Sequence, residues 1–401
     1  MKVLNVIATV DPRDGGPIAG LYSSSEVWRQ NGHERTAVCF DPPDAPWLGA
    51  APLKVFALGH RIQRQLFLRR IFPWLRYGYT PRLMRWLKAH AGEYDVVIVN
   101  GLWNYNSFGT WRALGASGTP YVVFTHGMLD PWFNKAHPIK SIFKTIFWKL
   151  FEHHVLRDAR GVLFTCEEER RLASQAFSPY SAREFVVGYG ARPAQGDPVV
   201  QRRAYQERVP ALQSRKFLLF LSRIHPKKGI ELLIEGFARI CGRFPDLDLV
   251  IAGPDGAEWE QKLRKMAERL GVAQRIHWPG MLSGDVKWGA FRAAEFFVLP
   301  SHQENFGIVV AEALSLSKPV LITNKVNIWR EIEQDGAGIV VNDDIEAVAD
   351  GLERMCSLPD TERLAMGERA LTCFQERYDM DKNAMSFLTL LRGILDDKLA
   401  A

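Results

Sequence analysis

Short apolar runs alternate with helix-patterned segments along the whole sequence, and this alternation restricts the chain to few folds. In the first half, strand-like runs occur at 3–10, 37–40, 96–100, 121–125 and 161–165, with helical spacing at 19–31, 81–91, 108–116 and 139–156. In the second half, runs at 217–222, 247–252, 276–278, 296–299, 319–322 and 338–341 alternate with helical patterns at 230–243, 258–270, 285–293, 309–317, 345–356 and 360–378. Such alternation specifies α/β architecture with mostly parallel, doubly wound sheets. A chain of 401 residues is too long for one ordinary core, so two Rossmann-like domains are expected. The break lies near 191–214, where Arg192-Pro193-Ala194-Gln195-Gly196-Asp197-Pro198 reads as a linker. The domains are then 1–195 and 196–378, with 379–401 carrying a last helix that has room to cross back onto the first domain. Two such domains leave a cleft facing the carboxyl ends of both sheets, the default place for a ligand.

Several classes are set aside by composition. Hydrophobic content of 47% against 24% charged is that of a soluble globular protein. No apolar stretch reaches the ~18 residues of a spanning helix. The opening Met-Lys-Val-Leu-Asn-Val-Ile-Ala-Thr-Val is expected to form the first core strand, not a leader. Five scattered cysteines without a Cys-x-x-Cys pair suggest reduced thiols in a cytoplasmic protein, with neither disulfide nor zinc framework.

The net charge of +6 is unevenly distributed. Residues 1–200 hold 24 Lys and Arg against 16 Asp and Glu, whereas residues 201–401 hold 27 against 29. Between 45 and 92 there are nine basic residues and no acid, among them Arg64, Arg69 and Arg70, interleaved with aromatics such as Trp74. A second basic and aromatic element runs from 138 to 151. There Ile139, Ile142, Phe143, Ile146, Phe147 and Leu150 recur at helical spacing, with Lys140, Lys144 and Lys149 elsewhere around the helix. Such segments can lie among the headgroups of an anionic membrane, bind single-stranded nucleic acid, or simply turn their apolar faces into the core. For the 54–90 region the absence of acids favours a membrane surface, and no nucleic-acid partner is expected.

Four constellations fall where they would face the cleft. Glu304 sits in the turn after the run 296–299, and Glu312 on the helix that follows; carboxylates there can accept hydrogen bonds from sugar or ribose hydroxyls, or be solvated surface acids. Ser222-Arg223-Ile224-His225-Pro226-Lys227-Lys228-Gly229 opens another helix after a strand. Arg223 supplies a planar donor fork and Lys228 a compact charge, enough to hold a diphosphate, although basic surface turns are also common. Gly15-Gly16 follows the first strand, as an ordinary turn or as one that lets backbone amides approach a phosphate. His126 ends a strand as a general base, a donor to substrate, or a loop histidine.

Together, Arg223 with Lys228-Gly229, Ala252-Gly253-Pro254, Pro300-Ser301 before Glu304-Asn305-Phe306-Gly307, and Glu312-Ala313 resemble the donor half of family 4 glycosyltransferases, which have the GT-B fold. The likeness covers about 217–341 closely. In the first half it rests on Gly15-Gly16 and His126, whose His-Gly-Met-Leu-Asp-Pro-Trp stretch is similar to bacterial exopolysaccharide and lipopolysaccharide members. The resemblance implies that Glu312 holds the ribose of a nucleotide sugar and that Arg223 and Lys228 hold its diphosphate. It implies that Glu304 and the amides of Asn305, Phe306 and Gly307 hold the donor sugar. Gly16 would present an amide to the diphosphate, and His126 would contact the sugar near the reacting carbon. It implies further a retaining transfer that needs no metal and no other cofactor. The Asp-x-Asp triplets at 246–248 and 379–381 lie outside any expected donor loop. One departure touches the site: Val187-Gly188-Tyr189-Gly190-Ala191 stands where many members have Pro-Asn-Gly.

The resulting expectation is a cytoplasmic enzyme, peripheral on the inner face of the cytoplasmic membrane. It would move a hexose from a nucleotide sugar to a glycan or polyprenyl-diphosphate-linked acceptor in bacterial surface polysaccharide synthesis. A sugar-nucleotide epimerase of the same fold and a non-catalytic carbohydrate- or membrane-binding protein are the alternatives.

Overall fold

The computed structural model describes residues 1–60, 77–115, 117–212, 215–255 and 258–396. The chain forms two compact units, Met1–Tyr189 with Met380–Ala401, and Gly190–Asp379. Among the described residues the first unit carries a seven-stranded sheet: β1 (Lys2–Ile7), β2 (Glu34–Cys39), β3 (Lys54–Ala57), β4 (Val96–Asn100), β5 (Tyr121–Phe124), β6 (Gly161–Phe164) and β7 (Glu184–Val186). Their order is β3-β2-β1-β4-β5-β6-β7, and every neighbouring pair is parallel. The second unit carries β8 (Lys216–Leu221), β9 (Leu247–Ala252), β10 (Ile276–Gly280), β11 (Phe296–Leu299), β12 (Val320–Thr323) and β13 (Gly338–Val341). These run β10-β9-β8-β11-β12-β13, again all parallel.

The winding reverses beside the first strand of each sheet, between β1 and β4 and between β8 and β11. At such a switch point the turns leaving neighbouring strands diverge, which opens a crevice at their carboxyl ends. Parallel strands buried on both faces alternate their side chains between two apolar layers. Accordingly Leu4, Val6, Val97 and Val99 enter one layer of the first unit, while Val3, Val96 and Ile98 enter the other. The second layer is completed by the helix Met380–Leu395, through Ala384, Phe387, Leu388, Leu391 and Ile394. Trp28 Nε1 donates to the Ala384 carbonyl at 2.8 Å, fixing that helix on the helix Gly16–Gln30.

Two sequence expectations are corrected. The stretch expected as a linker contains the helix Pro198–Arg208, started by the Asp197 side chain, which accepts from Val199 N at 2.7 Å. Pro198 was misleading because proline suits the first helical position, whose amide needs no partner. The single helix expected over 139–156 is Pro138–Phe147, a π-turn Trp148–Glu152 and a helix His153–Arg157. Its first three turns do not form core: Ile139, Ile142, Phe143, Ile146 and Leu150 are exposed, whereas Phe147 and Phe151 are half-buried and Trp148, Val155 and Leu156 are buried.

Candidate functional site

In the second unit the two turns at the switch point meet through side chains. The turn leaving β8 forms a short 3-10 segment, Pro226–Lys228, and ends at Gly229 with φ 62. A Cβ on Gly229 would lie 1.9 Å from the Pro300 carbonyl oxygen, so glycine lets this turn press against the one leaving β11. His302 reinforces the junction. Its amide donates to the Lys227 carbonyl at 2.9 Å, and its ring lies between Glu231 (2.7 Å) and Asp343 (3.2 Å). These carboxylates, Glu231 foremost, hold its pKa above the usual histidine value.

Across this junction the Lys228 ammonium is ion-paired with Glu304, and both are largely withdrawn from solvent. Glu304 is fixed by its backbone as well, its amide donating to the Lys325 carbonyl (2.9 Å) and its carbonyl accepting from Asn327 N (3.0 Å). Arg223 is exposed, with no hydrogen bond or ion pair among the described residues. Asn305 Oδ1 accepts from Asn327 Nδ2 at 3.4 Å, Phe306 is buried edge-on against Tyr378, and Gly307, with φ 75, precedes the helix Ile308–Leu314.

Glu312 lies on that helix, nearly buried. Its Oε1 accepts from Lys287 Nζ at 2.6 Å, while Oε2 has no partner. Burial raises its pKa, and Lys287 opposes the rise. An unsatisfied carboxylate oxygen beside a fixed cation is an acceptor prepared for hydroxyl donors.

In the first unit, Gly15 (φ 95) and Gly16 follow β1, and the Tyr189 hydroxyl donates to the Gly16 carbonyl at 2.7 Å. Tyr189 belongs to the segment that departs from the family pattern, so the departure supplies a contact of its own. His126 follows β5 with φ 49 and stacks on Phe124, ring centroids 4.1 Å apart. Asn100 donates its amide to Asn5 Oδ1 and the Ile98 carbonyl, both at 3.3 Å, which leaves Asn100 Oδ1 facing His126 Nε2 at 3.1 Å. The ring therefore donates through Nε2 and keeps Nδ1 as an acceptor. Burial pushes its pKa down to about 3, so the imidazole is neutral near pH 7. Its unusual backbone is held by Glu169. One Glu169 oxygen accepts from Gly127 N and Thr125 Oγ1 (2.6 Å each), the other from Thr165 N (2.7 Å) and Thr165 Oγ1 (2.6 Å). His126, Pro17, Gly20, Asn100 and Tyr189 line one small cavity of about 30 Å³.

The structure thus brings Lys228, Glu304, Asn305, Phe306 and Gly307 together at one switch point, with Glu312 on the following helix. It sets Gly15, Gly16 and His126 beside the carboxyl ends of the first sheet. Lys287, His302, Asn100 and Glu169 escaped the sequence reading, because each acts on a residue distant in sequence and none lies in a patterned motif. Asp248, from the first Asp-x-Asp triplet, is bound by Arg215, Arg275 and His277. Burial works against its charge, but those hydrogen bonds outweigh it and hold its pKa low. Of the expected membrane residues, Lys140 is exposed. Lys144 is not: it is half-buried, 4.5 Å above the Trp103 ring, and burial lowers its pKa. Arg64, Arg69, Arg70 and Trp74 lie outside the described residues.

Two doubly wound parallel units, one with a cation and carboxylates gathered at its switch point, define a protein of the nucleotide-binding α/β class. Residues 201–372 match the family model described as glycosyl transferases group 1, and residues 15–190 match the glycosyl transferase 4-like domain. The chain belongs to the family 4 glycosyltransferases, and its fold is GT-B. A D-inositol 3-phosphate glycosyltransferase of Corynebacterium urealyticum is 26% identical over 256 residues, covering 61% of this chain and 59% of the relative, less than two thirds of its length. An alpha-D-kanosaminyltransferase of Streptomyces kanamyceticus is 28% identical over 270 residues, 66% of this chain and 68% of the relative. Among solved structures, HepE of Anabaena in complex with UDP and glucose has a TM-score of 0.73 at 18% identity, covering 98% of this chain and 100% of that one. WaaG, a glycosyltransferase involved in lipopolysaccharide biosynthesis, has a TM-score of 0.70 at 17% identity, with coverage of 98% and 100%.

Proposed function

We propose that this chain transfers a hexose from a nucleotide-diphosphate sugar, with retention and without a protein-bound metal, to a glycan or lipid-linked acceptor of bacterial surface polysaccharide. The observation that carries the reading is the Lys228–Glu304 pair across the β8/β11 switch point, with the buried and unpaired Glu312 Oε2 on the helix after it. Glu312 grips the ribose through that oxygen. Arg223 and Lys228 hold the diphosphate, and Glu304 with the backbone after it holds the sugar hydroxyls. Until a donor arrives, Glu304 balances the Lys228 charge in a poorly solvated place. In the transfer, the acceptor oxygen bonds to the anomeric carbon as the bond to the diphosphate breaks. The acceptor proton passes to the departing phosphate on the same face, which preserves configuration. Charge growing on the leaving group is met by Arg223 and by Lys228, of which Lys228 is held in place beforehand by Glu304. Neutral His126, at the carboxyl end of the first sheet, keeps Nδ1 free to accept a hydrogen bond and adds no charge there. The UDP-bound structure of HepE supports the donor, and the lipopolysaccharide role of WaaG supports the surface-polysaccharide acceptor; the enzyme works in the cytoplasm at the inner membrane face.

A panel of nucleotide sugars screened for thermal stabilisation, followed by transfer or donor hydrolysis with the stabilising donor, tests the reading. Glu304→Gln and Lys228→Ala should each lower turnover by about 10²-fold or more while circular dichroism stays unchanged. Near-normal turnover in both variants would overturn it.

A further inference from the structure

The helix Pro138–Phe147 and the π-turn after it present an exposed apolar stripe, unpartnered among the described residues. Ile139 (73% exposed), Ile142 (63%), Phe143 (69%), Ile146 (52%) and Leu150 (57%) recur at spacings of three and four, which stacks them along one face. Of the twelve large apolar side chains exposed among the described residues, these five form the largest group, on the helix and the π-turn that continues it, whereas only Val199 and Val200 share another element. Solitary exposed apolar residues are ordinary; a continuous line of isoleucine, phenylalanine and leucine marks a binding face.

The charge around the stripe selects its occupant. From 132 to 151 there are four lysines and no Asp or Glu. Lys135, Lys140 and Lys149 are exposed, and at 3.6 residues per turn Lys140 and Lys149 fall on opposite sides of the stripe. Two copies of this chain joined stripe to stripe would bring lysines against lysines. An acidic headgroup layer over an apolar interior matches both features at once, with lysines at headgroup depth and the stripe at the acyl boundary. From Ile139 to Leu150 the stripe runs roughly 16 Å at 1.5 Å per residue, about half of the ~30 Å hydrocarbon core. Among the described residues no helix is long and apolar enough to cross a membrane. The geometry therefore suits a helix lying in the interface.

We infer that residues 139–150 dock the first unit on an anionic lipid bilayer, with Ile139, Ile142, Phe143, Ile146 and Leu150 entering the acyl boundary and Lys140 and Lys149 contacting the headgroups. This deepens the proposed function by giving its membrane face a particular element, which is not the 54–90 region favoured from sequence. Lys144, turned over Trp103, takes no part in headgroup contact.

The test is sedimentation of the full chain with phosphatidylcholine vesicles and with vesicles that also contain phosphatidylglycerol. The chain should bind the anionic vesicles, more weakly as salt is raised. Ile142→Ser with Phe143→Ser should weaken that binding by about tenfold or more, leaving the melting temperature and donor hydrolysis unchanged. Lys140→Gln with Lys149→Gln should remove the preference for phosphatidylglycerol. Wild-type binding equally weak to both vesicles, or serine and glutamine variants that bind as wild type does, would overturn the inference. So would a concentration-dependent dimer in ultracentrifugation that the serine variant abolishes. Because the readout is lipid binding, loss of sugar transfer in the Glu304 or Lys228 variants has no bearing on it.

Discussion

Glu152 is fully buried in the π-turn, where its Oε1 accepts from Trp103 N (2.9 Å) and Ser107 Oγ (2.8 Å) and its Oε2 has no partner. Burial pushes its pKa up to about 7 from an ordinary 4.5. Below the lower value both folded and unfolded chains hold the proton. Between the two values only the folded chain keeps it, so stability falls as pH rises through that window, by up to ~3 kcal/mol. Glu152→Gln should flatten this loss: melting curves at pH 5 and pH 8 should converge in the variant relative to wild type. Parallel profiles for the two proteins would contradict the assignment. Legibility at this scale divides along the same line. Arg223, Lys228, Glu304 and Glu312 could be singled out because each follows a recognisable apolar run, at the place where a strand gives way to a helix. Glu152 and Glu169 could not, since burial and a ring of donors drawn from distant segments make them important. Lys287 was likewise invisible, being one cation on an ordinary helix until folding sets it against Glu312.

The helices Pro198–Arg208 and Gly284–Ala293 meet where Gly289 faces the backbone of Gln201; a Cβ there would stand 1.9 Å from the Gln201 carbonyl oxygen. Gly289→Ala should force the pair apart and cost about 1–3 kcal/mol, read as a lower midpoint in urea. An unchanged midpoint would mean that this contact yields freely. The same pair shows why elements were unevenly legible. The four inner strands of the second sheet, β9, β8, β11 and β12, announce themselves as mainly apolar runs, because each is buried almost throughout between layers. In the first sheet β3 and β7 went unnoticed: Lys54–Ala57 and Glu184–Val186 are short edge strands, only partly buried, with no run long enough to show a period. The stripe at 139–150 was visible as a helix, with a membrane face and a core face both left open, since helical spacing of apolar residues describes the two equally well.

For the whole molecule, the second unit is an insertion into the first, which leaves the chain at Tyr189 and resumes at Met380. The second layer of the first sheet depends on residues from both sides of that insertion, Trp28, Phe124 and Val187 meeting Phe387 and Leu391. Synthesis runs in one direction, so the ribosome completes Gly190–Asp379 while the first unit still lacks the helix that closes it. The usual order, in which an amino-terminal domain folds first, is thereby inverted. Nascent chains arrested so that Asp379 has emerged from the ribosome, with the last helix still inside it, should show protease resistance in the second unit while the first remains cleavable. Resistance in the first unit should appear only once the last helix has emerged. Throughout that interval an apolar sheet face awaits its cover, a period of exposure in which a chaperone would find its client.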